Sequence, residues 1–225
     1  MLSQKKIDIE KARKISNCKH CQGNGCSACR GYCIFIDQMV ESCIPVDYWY
    51  RKAEEFYGEE NFKEFLLDYL SDIDKQYVEG LTLCLVGHRG TGKTMGACSM
   101  LKKALLKGYS CYYVTMVDAV SIMVSSEAYD FRQTIKNIDF MVIDEVDQRF
   151  FPSAGSQELY GNHFEYILRT RSQNKLPTIM CTNSENTDDI FSGQFKESFD
   201  SLRSQFVKVI RVGGKDARKG AEKYE

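Results

Sequence analysis

The stretch Leu81–Gly96, LTLCLVGHRGTGKTMG, limits the possible folds of this chain more than any other. A short apolar run, Leu81–Val86, enters Gly87-His88-Arg89-Gly90-Thr91-Gly92-Lys93-Thr94, a complete G-x-x-x-x-G-K-[ST] pattern, and a helical pattern follows from about Lys93. Strand, glycine-rich turn and helix are the context in which that pattern binds phosphate. The glycines let backbone N–H groups turn inward around phosphate oxygens. The positive end of the following helix points at the same oxygens. Lys93 is long enough to reach β- and γ-phosphates, and the Thr94 hydroxyl suits Mg²⁺. Residues Gly87 to Thr94, with Met95 on the first helical turn, are therefore the expected cradle for ATP and Mg²⁺.

A second motif supports the first. Asp139–Ile143 (DFMVI) reads as a buried strand and runs directly into Asp144-Glu145. An apolar strand ending in Asp-Glu, downstream of a phosphate loop, is a Walker B pattern. Asp144 is expected to hold Mg²⁺, and Glu145 to orient and deprotonate an attacking water.

The rest of the chain alternates strands with helices. Met95–Leu106 continues the helix after the loop with Ala97, Leu101, Ala104 and Leu105 inward, and Gly108 ends it. Ser110–Thr115 is a second strand, and two helical stretches, Met116–Ser125 and Glu127–Lys136, precede the third. Gln157–Arg171 is helical with Leu159, Phe164, Ile167 and Leu168 inward. Pro177–Cys181 is a fourth strand ending at Thr182-Asn183, Asp188–Arg203 is helical in part, and Phe206–Val212 is a fifth strand. Alternation of this kind predicts a five-stranded parallel sheet with helices on both faces and a ligand at the carboxyl ends of the strands. Ahead of the loop, Pro45 breaks the chain before a short aromatic helix, and Phe62, Phe65, Leu66, Tyr69 and Leu70 recur at helical spacing. Trp49, with Tyr48 and Tyr50, reads as core rather than as a cofactor contact. The loop 147–160 carries Phe150-Phe151 beside Arg149, a pair suited either to stacking on bases or to covering the core.

The N-terminal region has its own chemistry. Five of the ten cysteines fall between Cys18 and Cys33, and Cys18, Cys21, Cys26 and Cys29 form two C-x-x-C pairs. Four thiolates suit a closed structural Zn²⁺ site, which stabilises a segment too small to build a core. Cys33 or His20 can replace one ligand, and the Cys26, Cys29, Cys33 spacing also admits an iron–sulfur cluster. Cys43, Cys84, Cys98, Cys111 and Cys181 are scattered, several in apolar runs where cysteine acts as a small hydrophobe. No apolar run reaches membrane-spanning length and the N-terminus lacks a signal-like apolar segment, so a cytoplasmic protein without a membrane partner is expected. The net charge of −1 gives no general sign of nucleic-acid binding, so any such contact must be local.

The order of these parts resembles the AAA+ ATPases, and within them the bacterial or phage-encoded replicative helicase loaders of the DnaC/DnaI type. The resemblance covers about 44–212. It rests on Ile44-Pro45, GHRGTGKT at 87–94, VIDEVD at 142–147, and ILRTRSQNKLPTIMCTNSE at 167–185. It implies an AAA+ domain at 44–213 without the helical lid, a cysteine-rich helicase-contact module at 1–43 and a charged tail at 214–225. It implies Asn183 as sensor 1 and Arg203, in SLRSQF, as the arginine finger reaching a neighbouring subunit, with Arg169 or Arg171 as other sources of that charge. Arg218 reads as a solvated charge rather than as sensor 2. The implied activity is ATP hydrolysis in delivering a hexameric replicative helicase onto single-stranded DNA, with self-association across ATP-bridged interfaces. The rival resemblance is to transposition helper ATPases of the IstB type, which act on duplex DNA with a transposase.

Overall fold

The computed structural model describes residues 36–56, 58–147, 154–184, 200, 207–214 and 216. The cysteine cluster from Cys18 to Cys33, the Phe150-Phe151 pair, Arg203 and Arg218 lie outside the described residues. So does the partial helix expected over 188–203, apart from Asp200. Among the described residues no group of His, Cys, Asp and Glu side chains is arranged to hold a metal ion by itself, and no helix is long and apolar enough to cross a membrane.

Five strands form one parallel sheet. They are β1 (Thr82–Val86), β2 (Cys111–Thr115), β3 (Phe140–Asp144), β4 (Thr178–Thr182) and β5 (Val207–Arg211), in the spatial order β2-β3-β4-β1-β5. Each strand expected from the sequence is present, shifted at its ends by a residue or so. The spatial order is a finding of the structure, because strand patterns carry no record of their neighbours. β1, β3 and β4 are buried throughout, as strands covered on both faces must be, and in β2 only Tyr112 and Thr115 are half-buried. β5 is the exception: it pairs with β1 and is only partly buried, with Lys208 and Arg211 exposed.

Among the described residues seven α-helices surround the sheet, with two short 3-10 turns at Val46–Tyr48 and Ala53–Glu55. The α-helices are α1 (Ile36–Glu41), α2 (Glu60–Ser71), α3 (Ile73–Glu79), α4 (Lys93–Leu106), α5 (Met116–Met123), α6 (Ala128–Asn137) and α7 (Ala154–Gln173). Strand alternation splits the core in two. Leu83, Leu85, Phe140, Val142, Ile179 and Cys181 face α1, α2 and α4. Cys84, Val86, Met141, Ile143 and Met180 face α5, α6 and α7. Ala97, Leu101 and Ala104 of α4 and Phe164, Ile167 and Leu168 of α7 point inward as their spacing requires. Trp49 is fully buried and donates from Nε1 to the Ile44 carbonyl at 2.7 Å, so it is a core residue. Cys84, Cys98, Cys111 and Cys181 are buried free thiols, consistent with use as small hydrophobes.

Two expectations need correction. The packed domain does not begin at residue 44: Ile36 and Met39 of α1 lie in the same core as Trp49 and Leu66, and the Ser42 carbonyl accepts from the Tyr113 amide at 2.8 Å. Arg171 does not face outward to a neighbour. It is fully buried, with Nε donating to Thr178 Oγ1 at 2.8 Å. Its Nη1 donates to the carbonyls of Ile135 and Ile138, and its Nη2 to those of Asp139 and Pro177, at 2.9 to 3.0 Å. The guanidinium thus staples the end of α6, the start of β3 and the start of β4 to α7. Burial lowers its pKa and the charge of Asp139 opposes that shift. Its planar fork suits several fixed carbonyls at once, which lysine cannot do. Arg169, on the same helix, is the exposed one and pairs with Glu165 at 2.6 Å.

Arg171→Met should destabilise the domain by about 3–5 kcal/mol, because the carbonyls are left buried without donors. Urea unfolding should show this as a lowered midpoint. Arg169→Met should change the same midpoint little, as expected for an exposed helical pair.

Candidate functional site

Because all five strands run the same way, their carboxyl ends share one edge. Val86 is level with Thr182 and Arg211, and Thr115 with Asp144. The residues that follow β1, β3 and β4 are Gly87, Glu145 and Asn183. The structure therefore brings the phosphate loop, the Asp-Glu pair and Asn183 to one rim. The Gly87 amide donates to the Ser184 carbonyl at 3.2 Å, tying the loop to the end of β4.

The loop turns sharply into α4. Gly92, its N-cap, has φ +94°, a left-handed conformation open to glycine. The approach is also close, since a Cβ at Gly92 would lie 2.3 Å from the Phe56 ring. Phe56 packs edge-on against Phe62 of α2, with centroids 5.2 Å apart. Lys93 is buried, and its Nζ donates to the carbonyls of Gly87 at 2.8 Å and His88 at 2.5 Å. The ammonium is thus held within the loop, while His88 and Arg89 are exposed at its tip. Met95 is half-buried on the first turn of α4.

Thr94, on α4, meets Asp144, at the end of β3. Thr94 Oγ1 donates to Asp144 Oδ2 at 2.8 Å, and the Glu145 amide donates to Asp144 Oδ1 at 2.7 Å. A hydroxyl and a carboxylate side by side are hard oxygen donors of the kind Mg²⁺ takes, so these residues fit that ion. Glu145 has φ +56°, unusual for a residue with a side chain. The next amide, of Val146, donates to the Cys181 carbonyl at 2.9 Å, which fixes the turn. Glu145 is the exposed member of the pair. Its pKa is raised, first by partial burial and then by the neighbouring Asp144 charge, with Arg89 acting the other way.

Several neighbours of the loop carry no sequence signal. The Asp216 carboxylate lies against Gly90, where an added Cβ would come within 2.0 Å of Oδ1. Glu59 Oε2 accepts from the Gly213 amide at 2.7 Å, joining the chain before α2 to the chain after β5. These contacts join positions far apart in sequence, so local pattern could not show them. Tyr113 of β2 also reaches Asp144, and it was legible in principle: strand parity places both on the α4 face.

The profile of one family, described as IstB-like ATP binding protein, matches residues 66–183. No curated protein matches the chain. Among solved structures, the chain is similar to a DnaC helicase loader, with 18% identity and a TM-score of 0.62 over 75% of this chain and 99% of that one. It is similar to DnaI, with 16% identity and a TM-score of 0.60 over 76% and 93%. It is also similar to AMPPCP-bound DnaA from Aquifex aeolicus, with 18% identity and a TM-score of 0.57 over 75% and 50%. The chain spans about half the length of the replication initiators it matches. At these identities the likeness is one of fold, and the fold is that of an AAA+ P-loop domain.

Gly92→Ala should weaken nucleotide binding by more than tenfold, since it adds about 1–2 kcal/mol of backbone strain and displaces Phe56. Titration with a fluorescent ATP analogue measures the loss. Gly108→Ala, at a left-handed position with nothing within 4 Å of the added carbon, should lower the melting temperature without changing that affinity.

Proposed function

Because this chain belongs to the family of IstB-like ATP binding proteins, we propose that it hydrolyses ATP in order to load a hexameric replicative helicase onto single-stranded DNA. The hydrolysis part is carried by one observation, the Thr94–Asp144 contact with Glu145 beside it at the rim that the phosphate loop shares. The loop amides and Lys93 would bind the β- and γ-phosphates. Thr94 and Asp144 would hold Mg²⁺, which supplies charge neutralisation on those phosphates. Glu145 would orient the attacking water and accept its proton, and Asn183 would contact the γ-phosphate or that water from the end of β4. A neighbouring subunit would contribute an arginine. Arg203 and Arg169 remain the candidates, Arg171 being committed to the interior.

The loader reading draws on the solved structures. The similarity takes in 99% and 93% of the solved chains of the DnaC helicase loader and of DnaI, and half of the solved initiator chain. The Cys18, Cys21, Cys26 and Cys29 cluster would hold Zn²⁺ and serve as the helicase contact. The family profile itself favours a second reading, a transposition helper of the IstB type that acts on duplex DNA with a transposase.

Lys93→Ala should abolish ATP binding. Glu145→Gln should bind ATP and lose turnover by on the order of 10²-fold or more. Full ATPase activity in Glu145→Gln would overturn the assignment of the base. The loader role is tested by native mass spectrometry of the full chain with a hexameric replicative helicase, in ATP and in ADP. A complex of several copies per hexamer, weakened by ADP or by Cys18→Ser and Cys21→Ser, is the expected result. Absence of any such complex, together with tighter binding to duplex than to single-stranded DNA, would favour the transposition reading.

A further inference from the structure

A tyrosine outside both phosphate motifs reaches the Thr94–Asp144 pair. Alternation along β3 places Phe140, Val142 and Asp144 on the α4 face, and alternation along β2 places Cys111 and Tyr113 there too. Phe140, Val142, Cys111 and Tyr113 share one core cluster. The strands are parallel neighbours with Tyr113 level with Val142 and Thr115 level with Asp144. Tyr113 is thus the diagonal neighbour of Asp144, a separation a tyrosine ring can span. Its hydroxyl donates to Asp144 Oδ2 at 2.7 Å, and the residue is buried. The same oxygen accepts from Thr94.

Asp144 Oδ2 thus accepts from two hydroxyls, Thr94 arriving from α4 and Tyr113 from β2.

We infer that Tyr113 is a positioning residue for Mg²⁺–nucleotide, fixing the plane of the Asp144 carboxylate. The inference rests on the reading that Thr94 and Asp144 hold Mg²⁺. A carboxylate fixed on Oδ1 by the Glu145 amide and on Oδ2 by two hydroxyls has lost its rotational freedom before any ligand arrives. Groups that orient a metal-binding carboxylate in this way commonly change metal affinity by tenfold or more when removed. The bland alternative is that Asp144 merely satisfies a buried phenol.

The test is equilibrium binding of a fluorescent ATP analogue to the full chain, first in chelator and then at graded Mg²⁺. Tyr113→Phe keeps the ring and removes the hydroxyl. It should raise the Mg²⁺ needed for half-maximal tightening on the order of tenfold, with metal-free affinity unchanged. ATPase turnover should approach wild type at saturating Mg²⁺. If the wild-type protein shows no Mg²⁺-dependent tightening, the Mg²⁺ assignment fails and the inference with it. If wild type responds and Tyr113→Phe follows the same curve, the Mg²⁺ assignment stands and the positioning role is overturned. Should Tyr113→Phe not fold, Tyr113→Met, which also lacks the hydroxyl, is read in its place, and an unchanged curve overturns the positioning role.

Discussion

A parallel sheet has a direction, and this chain uses it. With every strand pointing the same way, whatever follows β1, β3 and β4 arrives at one rim regardless of distance along the sequence. The loop after β1 is the demanding part. It must reverse into α4 while keeping its amides turned inward, and glycine at position 92, in a left-handed conformation, allows the entry to the helix. α4 then presents Thr94 toward the sheet face on which β3 delivers Asp144. The remaining architecture keeps these two in register: α1 and α2 pack over α4 on one face, and α5, α6 and α7 cover the other.

The elements that carry this geometry were readable from the sequence because their signals are local. An apolar strand, a glycine turn and a helix start occupy adjacent residues, as do the strand and the Asp-Glu pair that follows it. Alternation along each strand divides its residues between the two layers, as the two core clusters show. What lay beyond the sequence was contact at long range. Asp216 against Gly90, Glu59 against Gly213 and the order of the strands depend on where the chain returns to, and composition holds no trace of that. Arg171 shows how a resemblance can mislead. An arginine near the end of a helix invites a role at a subunit boundary, yet the carbonyls at the ends of α6 and around the starts of β3 and β4 needed a buried donor.

Tyr113 is an intermediate case. It sits in a strand whose apolar character hid the polar end of its ring. The aromatic body packs in the core and the hydroxyl faces Asp144, a division that hydropathy averages away.

β5 has a consequence of another kind. It is a border strand, paired with β1, and it exposes Lys208 and Arg211 along its short length, with Lys208 resting over the Phe65 ring. Unpaired backbone at a sheet border is a template for another strand, and cations there discourage that. Two copies meeting border to border would set like charges against each other. At this border, among the described residues, the sheet is in this way discouraged from continuing into a second molecule.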